Sequence, residues 1–313
     1  PDPELSRLST VPAADAERAW QYLRQGGLDN ARQLYRFLAD RWLDRPQAWS
    51  EPQALPRVAV HHPRHGSGTP VLWQADWRPG APVAALLFYR AQLQAANTAF
   101  VDEFCARLVA QGLNPLPIAV ASLKEPACQA QVEDWLDETD AALILNTTGF
   151  ALSSPERPAL RPFRRDVPVL QAICALDNRQ RWQDNPQGLG PRDLAMHVAL
   201  PELDGRIVTR PISFKGLAWR SERSQSDVVC YQADGERMDF VAELARRWVS
   251  LARKANADKR IALVLANYPT RDGRIGNGVG LDTPAAALNI LRALQDAGYP
   301  VAELPESGTA LIH

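Results

Sequence analysis

Apolar residues recur along the first 45 positions at the three- and four-residue spacing of helices that face a core. Ala16, Ala19, Trp20 and Leu23 form one stripe, and Ala31, Leu34, Tyr35, Leu38 and Trp42 a second, so two amphipathic helices are expected. Gly26-Gly27 separates them, Asp29 is placed to cap the second, and Pro46 closes it. Residues 46–80 lose the pattern. They are rich in Pro and Gly and hold one short strand candidate, RVAVHH, which reads as part of a linker or surface excursion. From residue 81 short apolar runs alternate with amphipathic ones. PVAALLFYR, PLPIAVAS, DAALILNTTG and VPVLQAIC read as strands, with NTAFVDEFCARLVAQG and EPACQAQVEDWLDE as helices among them. Apolar strands separated by helices indicate a parallel sheet covered on both faces.

The alternation lapses over 183–235. Turn dipeptides (Asn185-Pro186, Asp204-Gly205, Asp234-Gly235) and runs such as RIVTRPISF predict a β-rich irregular insertion there. The rhythm returns with a helix RMDFVAELARRWVSLARK, a strand RIALVLANYP, a helix over 284–297 and a strand YPVAELP. The expected fold class is α/β: two Rossmann-like or periplasmic-binding-protein-like portions flank a β-rich insertion, after an N-terminal helical segment. The expected boundaries are 1–55 for the helical segment, 56–182 for the first α/β domain, 183–235 for the insertion and 236–313 for the start of a second α/β domain.

Length and composition agree with this picture. The 313 residues suit about two domains at roughly 150 residues each. An apolar fraction of 46% and a net charge of −1 describe a globular chain with no electrostatic pull toward nucleic acid or an anionic membrane. No apolar run reaches the roughly 20 residues of a membrane-spanning helix, and the first residues lack the regions of a signal peptide. Cys105, Cys128, Cys174 and Cys230 are scattered without a C-x-x-C and read as reduced, mostly buried thiols, so a cytoplasmic location is expected. Of the 35 basic residues only Lys124, Lys215, Lys254 and Lys259 are lysine. That bias reads as GC-rich coding or as use of arginine forks for carboxylates. Pro1 and the closing GTALIH do not read as natural termini, so an internal piece of a longer chain is expected.

Three stretches carry candidate chemistry. RDGRIGNGVGLDTP, 271–284, lies between a predicted strand and a predicted helix, where glycines often cradle phosphate. Its G-x-G-x-G is one residue short of the dinucleotide fingerprint, and Val279 stands where a P-loop needs lysine, so a nucleotide-dependent oxidoreductase is disfavoured. The plain alternative is a β–α turn with Asp282 or Thr283 capping the helix. HVALPELDGRIVTRPISFKG, 197–216, gathers His197, Glu202, Asp204, Arg206, Arg210 and Lys215. Two carboxylates beside basic groups suit acid/base work or a hard cation, or a turn whose carboxylates are solvated or paired to arginine. His61, His62 and His65 in HHPRHG are metal ligands or surface histidines. Ser122, Ser153 and Ser154 lack a nucleophile-elbow context, and the nine tryptophans serve the core or stack on a planar ligand.

Read in order, YLRQGGLDN (22–30), NTAFVDEFCARLVAQGLNPLPIAVASLKEP (97–126), ILNTTGFA (144–151), PVLQ (168–171), GLGPRDLAMHVALPELDGRIVTRPISFK (188–215) and ANYPTRDGRIGNGVGLDTP (266–284) resemble the large-subunit family of ATP-dependent cobaltochelatase and, more distantly, magnesium chelatase. The resemblance spans almost the whole chain, and the family's subunit is several times longer. It implies insertion of Co2+ into the corrinoid hydrogenobyrinic acid a,c-diamide in cobalamin biosynthesis, a ligase reaction. Mg-ATP is hydrolysed on two AAA+-type partner subunits and is not bound by this chain. The family's Pro-Glu-x-Asp-Gly segment maps its metal-insertion carboxylate onto Glu202, with Asp204 beside it as a second catalytic candidate. His197 and Glu202 become candidate ligands for the metal. Arg206, Arg210, Lys215, Arg274 and Asn277 are candidates for holding the substrate, the last two on a loop expected at the rim of the tetrapyrrole cleft. The cobalt branch rests on the wording of SLKEP and LPELDGRIVTRPISFK. A magnesium-chelatase-type subunit, a non-catalytic tetrapyrrole-binding module and an AAA+ docking module are the alternatives.

Overall fold

The computed structural model describes residues 2–153, 162–266, 276, 278 and 280–312. They form two compact units, Pro1–Trp248 and Val249–His313.

The first unit opens with α1 (Pro3–Leu8), α2 (Ala13–Gln25) and α3 (Leu28–Trp42). The two long helices are present, but their expected apolar stripes point outward: Trp20, Leu23, Tyr35 and Trp42 are exposed. Tyr22 and Phe37 are buried instead, with ring centroids 6.0 Å apart, and Trp49 packs edge-on against Phe37 at 5.0 Å. The following segment selects this face. Asn30 donates to the Gln53 carbonyl and accepts from the Gln53 N–H, strapping residues 49–53 over the aromatic rings. Gly27, and not Asp29, is the N-cap of α3.

β1 (Val58–His62), β2 (Gly66–Gly68), α4 (Val71–Gln74), β3 (Val83–Tyr89), α5 (Arg90–Gln94), α6 (Ala99–Ala110), β4 (Asn114–Val120), α7 (Pro126–Glu138), β5 (Ala141–Asn146) and β6 (Val169–Ala175) follow. The single sheet runs β2-β1-β4-β3-β5-β6 and ends on β7 (Ile207–Ser221) and β8 (Ser226–Ala233). β4, β3, β5, β6 and β7 are parallel, while β1, β2 and β8 run antiparallel at the edges. β4 tolerates Pro115 and Pro117 because β1 pairs only with Ile118–Val120. The missing proline N–H groups therefore forfeit no bond on that side. Leu86, Leu87, Phe88, Leu116, Ile118, Leu143, Ile144, Leu145 and Leu170 are fully buried, each contributing about 1.5–3 kcal/mol by removal from water. Cys105, Cys128 and Cys174 are buried free thiols, and burial pushes the Cys174 pKa up to about 11.

The strands expected within residues 183–235 are present, but they belong to the main sheet and only the second part of the stretch carries them. The first part is helical, through α8 (Arg179–Asp184), α9 (Pro191–Leu194), a π-helical turn (Ala195–Ala199) and α10 (Leu200–Glu202). β7 and β8 then extend the same sheet, because β7 pairs in parallel with β6. HHPRHG is a surface turn only in its second half, where Pro63, Arg64 and His65 are exposed between β1 and β2. His61 and His62 are buried in β1, with Nε2 atoms 2.8 Å from Asp102 and 2.9 Å from Asp76.

α11 (Gly235–Arg253) begins in the first unit and ends in the second, which contains α12 (Thr283–Asp296) and α13 (Gly308–Ile312). Asp282 caps α12 by accepting from the Ala285 N–H at 3.1 Å. The runs 261–266 and 300–305, read as strands, have no regular secondary structure. An isolated strand leaves its backbone groups unpaired, and neither run has a ladder partner among the described residues. Val264 stays 86% exposed.

Candidate active-site cleft

A doubly wound sheet binds ligands beyond the carboxyl ends of its strands, where the order of winding reverses. Here the chain passes from β3 to β4 on one side and returns to β5 on the other, so the reversal lies at the ends of β3, β4 and β5. A cavity of about 320 Å³ opens there. It is lined by the turn after β4 (Ala121–Lys124), the loop after β5 (Thr148–Leu152), Tyr89, Met196 and Arg206. A larger cleft of about 660 Å³ lies between the N-terminal helices and β1–β2 and contains none of the PELDG residues.

The loop after β5 is pinned from every side. Asn146 accepts from the Thr148 hydroxyl at 2.9 Å and donates to the Thr148 carbonyl at 2.9 Å and to Gln171 at 2.8 Å. The Tyr89 hydroxyl accepts from the Gly149 N–H at 2.9 Å, and burial pushes the Tyr89 pKa upward. Asp204 receives the Leu152 and Ser153 N–H groups at 2.8 and 2.9 Å and the Ser153 hydroxyl at 2.5 Å. Arg206 bridges Asp204, Gln171 and the Thr148 carbonyl. Burial would raise the Asp204 pKa, but the Ser153 hydroxyl, the two N–H groups and Arg206 outweigh it and hold the carboxyl below its ordinary value. Burial draws the Arg206 pKa down, against the pull of Asp204.

One cause of the next contact is a proline. In the π-helical turn the Leu200 N–H bonds the Ala195 carbonyl, five residues back. Pro201, next in line, has no N–H for Met196. The Met196 carbonyl instead accepts the Phe150 N–H at 3.1 Å, docking the loop on the helix. Gly149 makes the approach possible, since a Cβ there would sit 3.1 Å from the Met196 carbonyl and 3.5 Å from His197 Nε2. Phe150 is held at φ +65°, left-handed, and remains 46% exposed.

Buried His197 lies in this turn. Its Nδ1 is 3.1 Å from Asp193 Oδ1, and the Asp193 carboxylate also receives the Leu176 N–H at 3.0 Å. An acceptor at Nδ1 fixes the proton there and leaves the Nε2 lone pair free. Nε2 has no hydrogen-bond partner among the described residues and faces Gly149. A carboxylate that orients a histidine in this way is the arrangement that supports metal-facing imidazoles. Among the described residues, no three His, Cys, Asp or Glu side chains are grouped to hold a resident metal ion.

The family model described as CobN/Magnesium Chelatase matches residues 20–313. The chain belongs to this family. It is 78% identical over its whole length to the aerobic cobaltochelatase subunit CobN of Pseudomonas aeruginosa. It is 38% identical, again over its whole length, to the CobN subunit of a Sinorhizobium species, and 29% identical over 97% of its length to a magnesium-chelatase subunit of Cereibacter sphaeroides. In each case it spans about a quarter of the relative: 25%, 25% and 28%. The solved catalytic subunit of cobaltochelatase from Mycobacterium tuberculosis superposes with a TM-score of 0.76 at 37% identity, over all of this chain and 26% of that one.

Within this CobN/magnesium-chelatase chain the candidate residues separate. Glu202 is exposed, not buried, with no ion pair or hydrogen bond of its side chain to another described residue. Asp204 turns inward and is consumed by the loop and Arg206, so it supports the cleft and has no free oxygen for proton transfer. Arg206 is among the residues lining the cavity, but its side chain is buried and two of its nitrogens serve the fold. Arg210 lies with its guanidinium 3.5 Å over the Phe240 ring, and Lys215 is exposed farther along β7; neither lines the cavity. Arg274 and Asn277 fall outside the described residues. Tyr89, Lys124, Phe150 and Asp193 join the site without having been singled out as candidates. Lys124, Phe150 and Asp193 fall within stretches that carry the family resemblance, and Tyr89 is marked only by its place as the last residue of β3.

Proposed function

We propose that the chain is part of the tetrapyrrole-binding large subunit of a chelatase that inserts Co2+ into hydrogenobyrinic acid a,c-diamide in cobalamin biosynthesis. ATP is hydrolysed on two AAA+-type partner subunits. The observation that carries the reading is buried His197, oriented by Asp193, with its Nε2 against Gly149 of the loop that lines the switch-point cavity. Insertion requires the ion to shed water and the macrocycle to lose its pyrrolic protons. Nε2 offers the incoming ion a lone pair, and Glu202, exposed and unpaired among the described residues, accepts protons as they leave. An imidazole favours cobalt over magnesium, which prefers oxygen ligands and holds its water. The cobalt reading also draws on the 78% identity to a subunit named for cobaltochelatase.

The test uses the full-length subunit with its partners, ATP, Co2+ and the corrinoid. Glu202→Gln is expected to lower insertion by about 10²-fold or more while leaving corrinoid affinity within about twofold. Unchanged insertion removes Glu202 from the chemistry. Absence of corrinoid binding by the unmodified subunit would overturn the tetrapyrrole reading.

A further inference from the structure

We infer that the switch-point cavity is an anion subsite for one peripheral carboxylate arm of the macrocycle, gripped by Lys124, with Phe150 as the platform on which the ring edge rests. The inference rests on the tetrapyrrole reading and specifies which part of that substrate the cavity takes.

The lining contains two cationic side chains, Lys124 and Arg206, and no carboxylate. Arg206 is neutralised by Asp204, which does not line the cavity, yet its buried Nε has no hydrogen-bond partner. Lys124 is exposed, has no ion pair among the described residues, and holds its ammonium 5.7 Å from the centre of the Phe150 ring. Ser122 accepts the Lys124 N–H with its hydroxyl oxygen at 3.2 Å, which leaves the O–H free to donate. An exposed ammonium and a free hydroxyl on one cavity lining, with the Arg206 guanidinium buried behind them, form a donor set that suits a carboxylate.

Phe150 supplies the second half. A large apolar residue held at φ +65° and 46% exposed gains neither conformational ease nor burial. The surrounding loop nevertheless enforces it, and strain retained in this way at a cleft marks a functional position. An exposed ring at the cavity mouth is a stacking surface for a planar ligand. The cavity, about 320 Å³, lies at the small end of ligand sites, which run roughly 300–1,000 Å³. It therefore takes an arm of a tetrapyrrole and leaves the ring outside, over Phe150 and toward His197. The stretch SLKEP, on which the cobalt-type resemblance leans, thus places its lysine at the mouth of this cavity.

The experiment measures affinity of the full-length subunit for hydrogenobyrinic acid a,c-diamide and for the same corrinoid with its carboxylates methyl-esterified. Lys124→Ala is expected to weaken the acid about tenfold, the loss of one charge-assisted contact, and to leave ester binding unchanged. Lys124→Arg is expected to restore most of the acid's affinity. Wild-type affinity for the acid in Lys124→Ala would overturn the subsite, as would equal weakening of acid and ester. If the unmodified subunit binds the acid and Lys124→Ala has no effect, only the subsite fails. If it binds neither form, the tetrapyrrole reading fails with it.

Discussion

Arg206 Nη2 donates to Asp204 Oδ2 at 2.6 Å with both side chains removed from solvent, and the pair clamps the loop that floors the cleft. Desolvating two charges is costly, and this pair is tolerated because Asp204 also collects two backbone N–H groups and a hydroxyl. Asp204→Asn leaves Arg206 buried without its counter-charge and is expected to destabilise the fold by about 3–5 kcal/mol. Glu202→Gln, two residues away and exposed, is expected to change stability by less than about 0.5 kcal/mol. The Asp204 carboxyl is held below its ordinary pKa. Its stabilisation is therefore fully present above the unfolded value of about 4 and is lost as pH falls through the folded value. Urea unfolding of wild type and Asp204→Asn should show their difference narrowing below about pH 4; a pH-independent difference would contradict the ionised pair.

Asp193 is buried and does not line the cavity, and it meets the proposed site through its contact with His197. In Asp193→Asn the amide N–H₂ competes to donate to Nδ1, which moves the imidazole proton to Nε2 and removes the free lone pair. Insertion is expected to fall about 10–100-fold with corrinoid affinity and thermal midpoint little changed. Nitrogen-15 shifts of His197 should report the exchanged tautomer, which a purely structural role for Asp193 would not produce.

Phe150→Gly separates strain from binding. Glycine adopts φ +65° freely, relieving roughly 1–2 kcal/mol against about 0.5–1 kcal/mol of added backbone entropy cost. The thermal midpoint is expected to hold or rise, while corrinoid affinity falls several-fold with the lost ring. A clear drop in midpoint would show that the ring supports the fold.

The parallel strands β3 to β6 were legible as short apolar runs alternating with amphipathic ones, although the order in which they lie was not. β7 and β8 were not legible as part of the same sheet. Register shifts around Pro211 and Trp219 interrupt the two-residue period, and exposed Lys215, Trp219 and Arg220 disguise a half-solvated edge hairpin. The PELDG segment was visible as chemistry, but the division of labour inside it was not. Gly205, at φ +67°, bonds back to the Glu202 carbonyl at 2.9 Å and closes a turn that sends Asp204 inward and leaves Glu202 outward. The runs 261–266 and 300–305 carry strand composition without a partner among the described residues, and composition alone cannot supply a ladder. Tyr89, Lys124 and Phe150 are single residues at strand ends, made a site only by the order in which the strands lie.

The anchors of the loop after β5 come from far downstream: Asp204 reaches back 52 residues to Leu152, and Arg206 58 residues to Thr148. In order of synthesis, the strands from β3 to β6 exist before either anchor has been made. A nascent chain ending at residue 200 carries four of the five parallel strands and no finished cleft. Asp204 and Arg206 are therefore synthesised after every strand of the cleft whose loop they fasten.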